Sequence, residues 1–116
     1  MISYEMYKLI HLVGIFLILT GLAGMSVWKS ANGAAQFRRP LALIHGLGML
    51  IALIGGFGLW ARLQIPWGNW LTVKLLCWLG LGALLGMTKR MPSKTVWAIM
   101  YVFAVAAAAM ALFKPF

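Results

Sequence analysis

Four apolar runs divide this chain, and almost all of its charge lies in the short stretches between and beside them. A run of about 20 apolar residues makes a helix long enough to cross the hydrocarbon core of a bilayer. Four such runs in one short chain cannot be buried in a water-soluble globule, because too little polar sequence remains to cover them. The first run, residues 9–28, carries no charge and is bracketed by Lys8 and Lys29, with Ser3 placed to cap its helix. It is too long for the apolar core of a cleaved signal peptide and reads as a span. Asn32-Gly33 is a helix stop, Arg38-Arg39 lie in the connection, and Pro40 suits the first turn of a second helix over residues 41–61. Gln64-Ile65-Pro66 breaks that helix, and Asn69 is the expected N-cap of a third run over residues 67–88. Lys89-Arg90-Met91-Pro92-Ser93 is a basic turn whose serine is expected to cap the fourth run, residues 95–113. The expected fold is all-α: an integral membrane protein of one domain, residues 1–116, with spans at about 6–29, 40–62, 68–88 and 94–113.

Composition agrees, with 64% hydrophobic and 9% charged residues against a soluble norm of about 45–50% and 25%. A net charge of +9 would suggest nucleic acid as the partner of a soluble chain. Here the cations flank apolar runs, so lipid headgroups are their natural partners, and nucleic acid is discounted. Glu5 is the only acid in the chain, which excludes a Ser-His-Asp triad or a carboxylate-dependent hydrolase and disfavours a proton-coupled transporter. The single cysteine, Cys77, can form no intramolecular disulfide and reads as small apolar packing. The eight methionines are scattered over the runs and read as gap-filling side chains rather than a copper site.

Connections this short force neighbouring spans to run antiparallel, giving an up-down-up-down bundle with both termini at one end. The end with the first and third connections carries Lys29, Arg38, Arg39, Lys89, Arg90 and Lys94. By the positive-inside rule that end faces the cytoplasm, so a multi-pass inner-membrane protein with both termini on the non-cytoplasmic side is expected. Small residues recur at helical spacing, notably Gly82 and Gly86, and Ala104, Ala108 and Ala111, and predict close helix contacts within one bundle or between protomers. Leu9-Ile10-His11 with Gly14, Gly21 and Gly24 returns 34 positions later as Leu43-Ile44-His45 with Gly48, Gly55 and Gly58. Copies on consecutive spans would be related by a local two-fold axis, although short apolar repeats also arise by chance.

The residue most in need of explanation is Lys74, about five residues beyond the expected cap Asn69 and so roughly 7–8 Å along its helix. Two readings stay open: a lysine that snorkels to the headgroups, or a cation held inside the bundle for an anionic ligand. His11 starts the first span at the same membrane face, so the two residues are expected at similar depth, facing each other inside the bundle. Tyr4, Lys8 and His11 share a helical face, with Tyr7 beside them. A pocket lined by His11, Lys74, Lys8, Tyr4 and Tyr7 would suit an anionic amphiphile such as a porphyrin, a haem or a quinone. The competing reading makes them interface anchors. A bis-histidine haem is excluded by depth, because His11 and His45 start antiparallel spans and lie about 15–20 Å apart along the normal. His45 reads as a hydrogen-bonded packing histidine, with neighbours expected near Trp97, Met100 and Tyr101 of the fourth span.

The stretch from His45 through Gly55-Gly56, then Pro66-Trp67-Gly68-Asn69-Trp70-Leu71-Thr72-Val73-Lys74, Gly80-Leu81-Gly82 and Lys89-Arg90 resembles the SirB-like membrane proteins. The opening Tyr7-Lys8-Leu9-Ile10-His11 and the Trp70-Leu71-x-x-Lys74 pattern are similar to the wider group that includes HemJ-type protoporphyrinogen oxidases and CopD copper-resistance proteins. The likeness spans most of the chain through short apolar motifs. It implies a four-helix membrane fold and, from the HemJ-type relatives, haem b or a porphyrin tied to His11 and Lys74, with His11 on the haem iron. The chain is shorter than the HemJ-type proteins and lacks their longer polar connections. Three functions are carried forward: a haem- or porphyrin-binding redox protein, a non-catalytic subunit or assembly partner of a larger membrane complex, and a small transporter built as a homo-oligomer.

Overall fold

The computed structural model describes residues 3–113. They form α1 (Tyr4–Ser30), a single 3-10 turn (Ala35–Phe37), α2 (Arg38–Leu63), α3 (Asn69–Met87) and α4 (Ser93–Phe113). Each of the four α-helices is long and apolar enough to cross a membrane.

Local chemistry sets the ends. The Ser3 hydroxyl accepts the Met6 N–H at 3.2 Å and caps α1. At the other end Asn32 takes φ 50°, in the left-handed region, and the Gly33 N–H reaches the Trp28 carbonyl at 2.8 Å. With the Asn32 N–H on the Lys29 carbonyl at 3.2 Å, this is a complete Schellman close. Gly33 is required there, because a Cβ would strike the Trp28 indole, which donates to the Ala34 carbonyl at 2.7 Å. Pro40 falls inside the first turn of α2, where its missing N–H has no intrahelical partner to lose. Gln64, at φ 53°, ends that helix.

Two caps differ from expectation. Gly68, not Asn69, is the N-cap of α3, since the Leu71 N–H already bonds the Gly68 carbonyl at 3.0 Å. Ser93 is the first residue of α4 rather than its cap. Its hydroxyl is turned to α1 instead, donating to the Ser26 carbonyl at 3.2 Å and pairing with the Ser30 hydroxyl.

The α1–α2 pair is the tightest in the molecule. Gly14 lies against Ala52, Gly21 against His45 and Gly24 against Leu41; from α2, Gly48 lies against Ile18, Gly55 against His11 and Gly58 against Tyr7. Each contact made from one copy of the repeat is returned by the other copy 34 positions away. The repeat is therefore a packing device, in which missing side chains let two backbones touch. Gly82 and Gly86 do not act this way: Gly82 meets only the tip of Met49, and Gly86 faces open space.

One half of the molecule is filled. Ile18 and Leu22 of α1, Leu81 and Leu84 of α3, and Val96 and Met100 of α4 form the buried core, in the half nearer the 31–37 and 88–92 connections. Lys29 closes that end, its ammonium donating to the Thr88 carbonyl at 2.7 Å and the Met91 carbonyl at 3.3 Å. Away from those connections the helices leave space between them.

Candidate functional site

That space is a cavity of about 460 Å³, walled by all four helices over residues 4–19, 52–63, 70–81 and 104–112. Its inner end is the core pair Ile18 and Leu81, and its walls are apolar except for a few side chains. The polar lining includes Tyr4, Lys8 and His11 from α1 and Lys74 from α3. Helical spacing explains the α1 set, because positions 4, 8 and 11 stack on one face. Trp70, Lys74 and Trp78 line the cavity from α3 at four-residue intervals for the same reason.

A second, smaller cavity of about 70 Å³ reaches towards Phe57 and Trp67. His11, Ala52, Gly56, Leu71, Lys74 and Trp78 line both spaces and so stand at the partition. His11 and Lys74 are thus brought to the same partition. Lys74 is partly buried rather than extended on the outer surface.

The His11 ring has a fixed role for one nitrogen. Its Nδ1 lies 2.7 Å from the Ala52 carbonyl oxygen and must donate, since a carbonyl only accepts. In the neutral ring the proton is thereby held on Nδ1, and Nε2 carries the lone pair. Gly56 gives the ring its room, because a Cβ there would come within 3.2 Å of Cε1. Among the described residues no group of three His, Cys, Asp or Glu side chains stands close enough to hold a bare metal ion.

Three placements depart from the sequence reading. Tyr7 is not part of the cavity lining; its ring covers Gly58 at the α1–α2 contact. Ala104, Ala108 and Ala111 line the cavity, so the small residues of α4 form part of its wall. His45 is buried, 3% exposed, and donates from Nε2 to the Leu81 carbonyl of α3 at 3.1 Å, not to the fourth span.

Sequence reasoning missed the aromatic wall. Trp60, Trp70 and Trp78 all line the large cavity, and the Trp78 indole is fixed by donating to the Met49 carbonyl at 2.9 Å. Beside the 64–68 connection Trp60 meets Trp67 edge-on with ring centres 5.3 Å apart, and Phe57 stacks on Trp67 at 6.4 Å. The four-residue spacing of Trp70, Lys74 and Trp78 was the available signal for the α3 part of this wall. No family model, curated protein or solved structure matches the chain.

Proposed function

We propose that this is an inner-membrane protein whose cavity binds a carboxylate-bearing, largely apolar ligand, with haem b or a porphyrin as the best candidate. One observation carries the reading: Lys8, Lys74 and His11, with Tyr4, open onto one largely apolar cavity walled by four membrane-length helices. Two ammonium groups in such surroundings suit carboxylates, and the apolar walls suit the rest of an amphiphile. The volume of about 460 Å³ lies within the range of about 300–1,000 Å³ common for small-molecule sites.

The residues present fit a haem. With Nδ1 committed to the Ala52 carbonyl, His11 has the arrangement usual in metal-binding histidines, one nitrogen on a backbone acceptor and the other available to iron. Lys8 and Lys74 would take the propionates, and Tyr4 would add a hydroxyl at the same end. His45, tied to Leu81 in the filled half, would take no part in holding the group. Bound haem would supply one-electron redox chemistry. The part of this chain is to orient the ring and neutralise its carboxylates. The resemblance of Tyr7–His11 and Trp70–Lys74 to HemJ-type and SirB-like proteins points to the same two residues.

The contacts across α1 and α2 support an antiparallel pair, because partner numbers fall on one helix as they rise on the other. Extended through the short connections, this gives an up-down-up-down bundle with both termini opposite the basic loops, on the non-cytoplasmic side.

The deciding experiment is a titration of the purified protein in detergent with hemin, read by the Soret band, alongside protoporphyrin without iron, read by fluorescence. Saturable uptake of hemin with a shifted Soret band is expected, with that shift lost in His11→Ala. A protein that takes up neither ligand overturns the reading.

A further inference from the structure

The residues that both line the large cavity and are exposed fall in two places of different character. At the chain-terminal end Tyr4, Lys8 and Leu63 line it and are exposed, at headgroup level. On the flank between α1 and α4, Leu12, Ala108 and Leu112 also both line the cavity and are exposed, Leu12 at 39% and Leu112 at 77%. Leu12 is eight residues beyond Tyr4, about 12 Å along the helix axis and therefore at the depth of lipid chains. The alanines of α4 have no reach to close this flank. At the opposite end Ser93 of α4 bonds Ser26 and Ser30 of α1.

We propose that the cavity is a lateral slot, through which a bilayer-dissolved carboxylate amphiphile passes between α1 and α4 without leaving its leaflet. This inference rests on the cavity being the ligand site argued above. The physical reason is continuity of environment. An amphiphile in the leaflet already holds its carboxylate at headgroup level, where Lys8 lies, and its apolar body at the depth of Leu12 and Ala108. Moving sideways keeps both parts solvated as they were, whereas an axial path drags the apolar body through hydrated headgroups. The same geometry selects the ligand class: one acidic end, an apolar remainder, and residence in the membrane before binding.

The test uses the protein in phosphatidylcholine vesicles and a stearic acid brominated at mid-chain, whose bromines quench tryptophan on contact. Trp60, Trp70 and Trp78 of the cavity wall are the reporters. Rapid mixing with vesicles carrying the acid should give a saturable quench, absent with its methyl ester. Ala108→Phe, at the slot, should slow its onset at least about tenfold, with Ala108→Leu intermediate, whereas Val105→Phe on the outward face should leave it unchanged. Slowing by Leu63→Phe at the chain-terminal end, with Ala108→Phe at the wild-type rate, overturns the slot and assigns the axial opening. A quench that rises only in proportion to the acid in the lipid, without saturation, also overturns it. Hemin uptake measured in detergent separates the two failures, because intact uptake leaves the site reading standing when the slot has fallen.

Discussion

His11 and His45 occupy matching positions across the α1–α2 contact, each with its backbone against a glycine of the opposite helix, Gly55 and Gly21. Their side chains nonetheless do different things. His11 donates to the Ala52 carbonyl of the paired helix and lines the cavity, whereas His45 donates to the Leu81 carbonyl and joins α2 to α3 in the filled half. The backbone repeat is thus symmetrical and the chemistry is not, because α3 supplies an acceptor beside one histidine and a cavity wall beside the other.

This asymmetry predicts opposite phenotypes for one substitution. His45→Leu removes the hydrogen bond to α3 and should cost about 1 kcal/mol of stability while leaving hemin uptake intact. His11→Leu should abolish the Soret shift and lower stability by no more than a similar amount. Unfolding by dodecyl sulfate in mixed micelles, followed by circular dichroism, measures the first quantity, and the hemin titration measures the second. Loss of hemin binding in His45→Leu at wild-type stability would contradict the assignment.

The glycine contacts allow a sharper comparison. A Cβ on Gly55 would lie 2.5 Å from the His11 backbone nitrogen, so Gly55→Ala must push α1 and α2 apart. Overpacking of this kind costs about 1–3 kcal/mol. Gly86 has nothing within 4 Å of the added carbon, so Gly86→Ala should be neutral or stabilise its helix by up to about 1 kcal/mol. The same denaturation series measures both, and equal effects at the two positions would show that the repeat is not a packing contact.

Sidedness is checked with cysteine tags at both termini of a Cys77→Ala background, expressed in a Gram-negative host. The excess of Arg38, Arg39, Lys89, Arg90 and Lys94 at the loop end predicts labelling of both tags by a membrane-impermeant maleimide added outside spheroplasts. Labelling only after the cytoplasmic face is opened would invert the orientation, and one tag on each side would remove a span.

The four helices were legible because a run of apolar residues between cations has few alternatives, and Asn32-Gly33 and Pro66 carry strong local signals. Short connections and a fixed rise per residue led to the expectation that His11 and Lys74 lie at similar depth, and both line the same cavity. What sequence did not convey was packing sense. Ala104, Ala108 and Ala111 carry a small-residue pattern like that of Gly14 and Gly21, yet one set lines the cavity and the other a backbone contact. A small residue states only that a side chain is missing, and the neighbouring helix decides whether backbone or cavity takes the space. The expected cap at Ser93 failed for a similar reason, since its hydroxyl is engaged by Ser26 and Ser30, which are distant in sequence.

Lys74 and Lys8 line the same cavity but differ in surroundings, and this difference yields the last prediction. Lys8 is exposed near the start of α1, whereas Lys74 is partly buried among Trp70, Leu71 and Trp78. An exposed ion pair is screened by water and contributes less than about 1 kcal/mol. A carboxylate met by a lysine inside apolar walls interacts more strongly, and deleting one partner of such a pair costs about 2 kcal/mol or more. Lys74→Met should therefore weaken hemin binding about 30-fold or more, and Lys8→Met by no more than about 5-fold. Lys74→Arg, which keeps the charge, should recover most of the loss. Methionine suits an apolar wall, so Lys74→Met should leave the helices folded, and an unchanged circular dichroism spectrum checks this. Equal losses from Lys8→Met and Lys74→Met would mean that both lysines act at the headgroup surface, and wild-type binding in Lys74→Met would remove that lysine from the site.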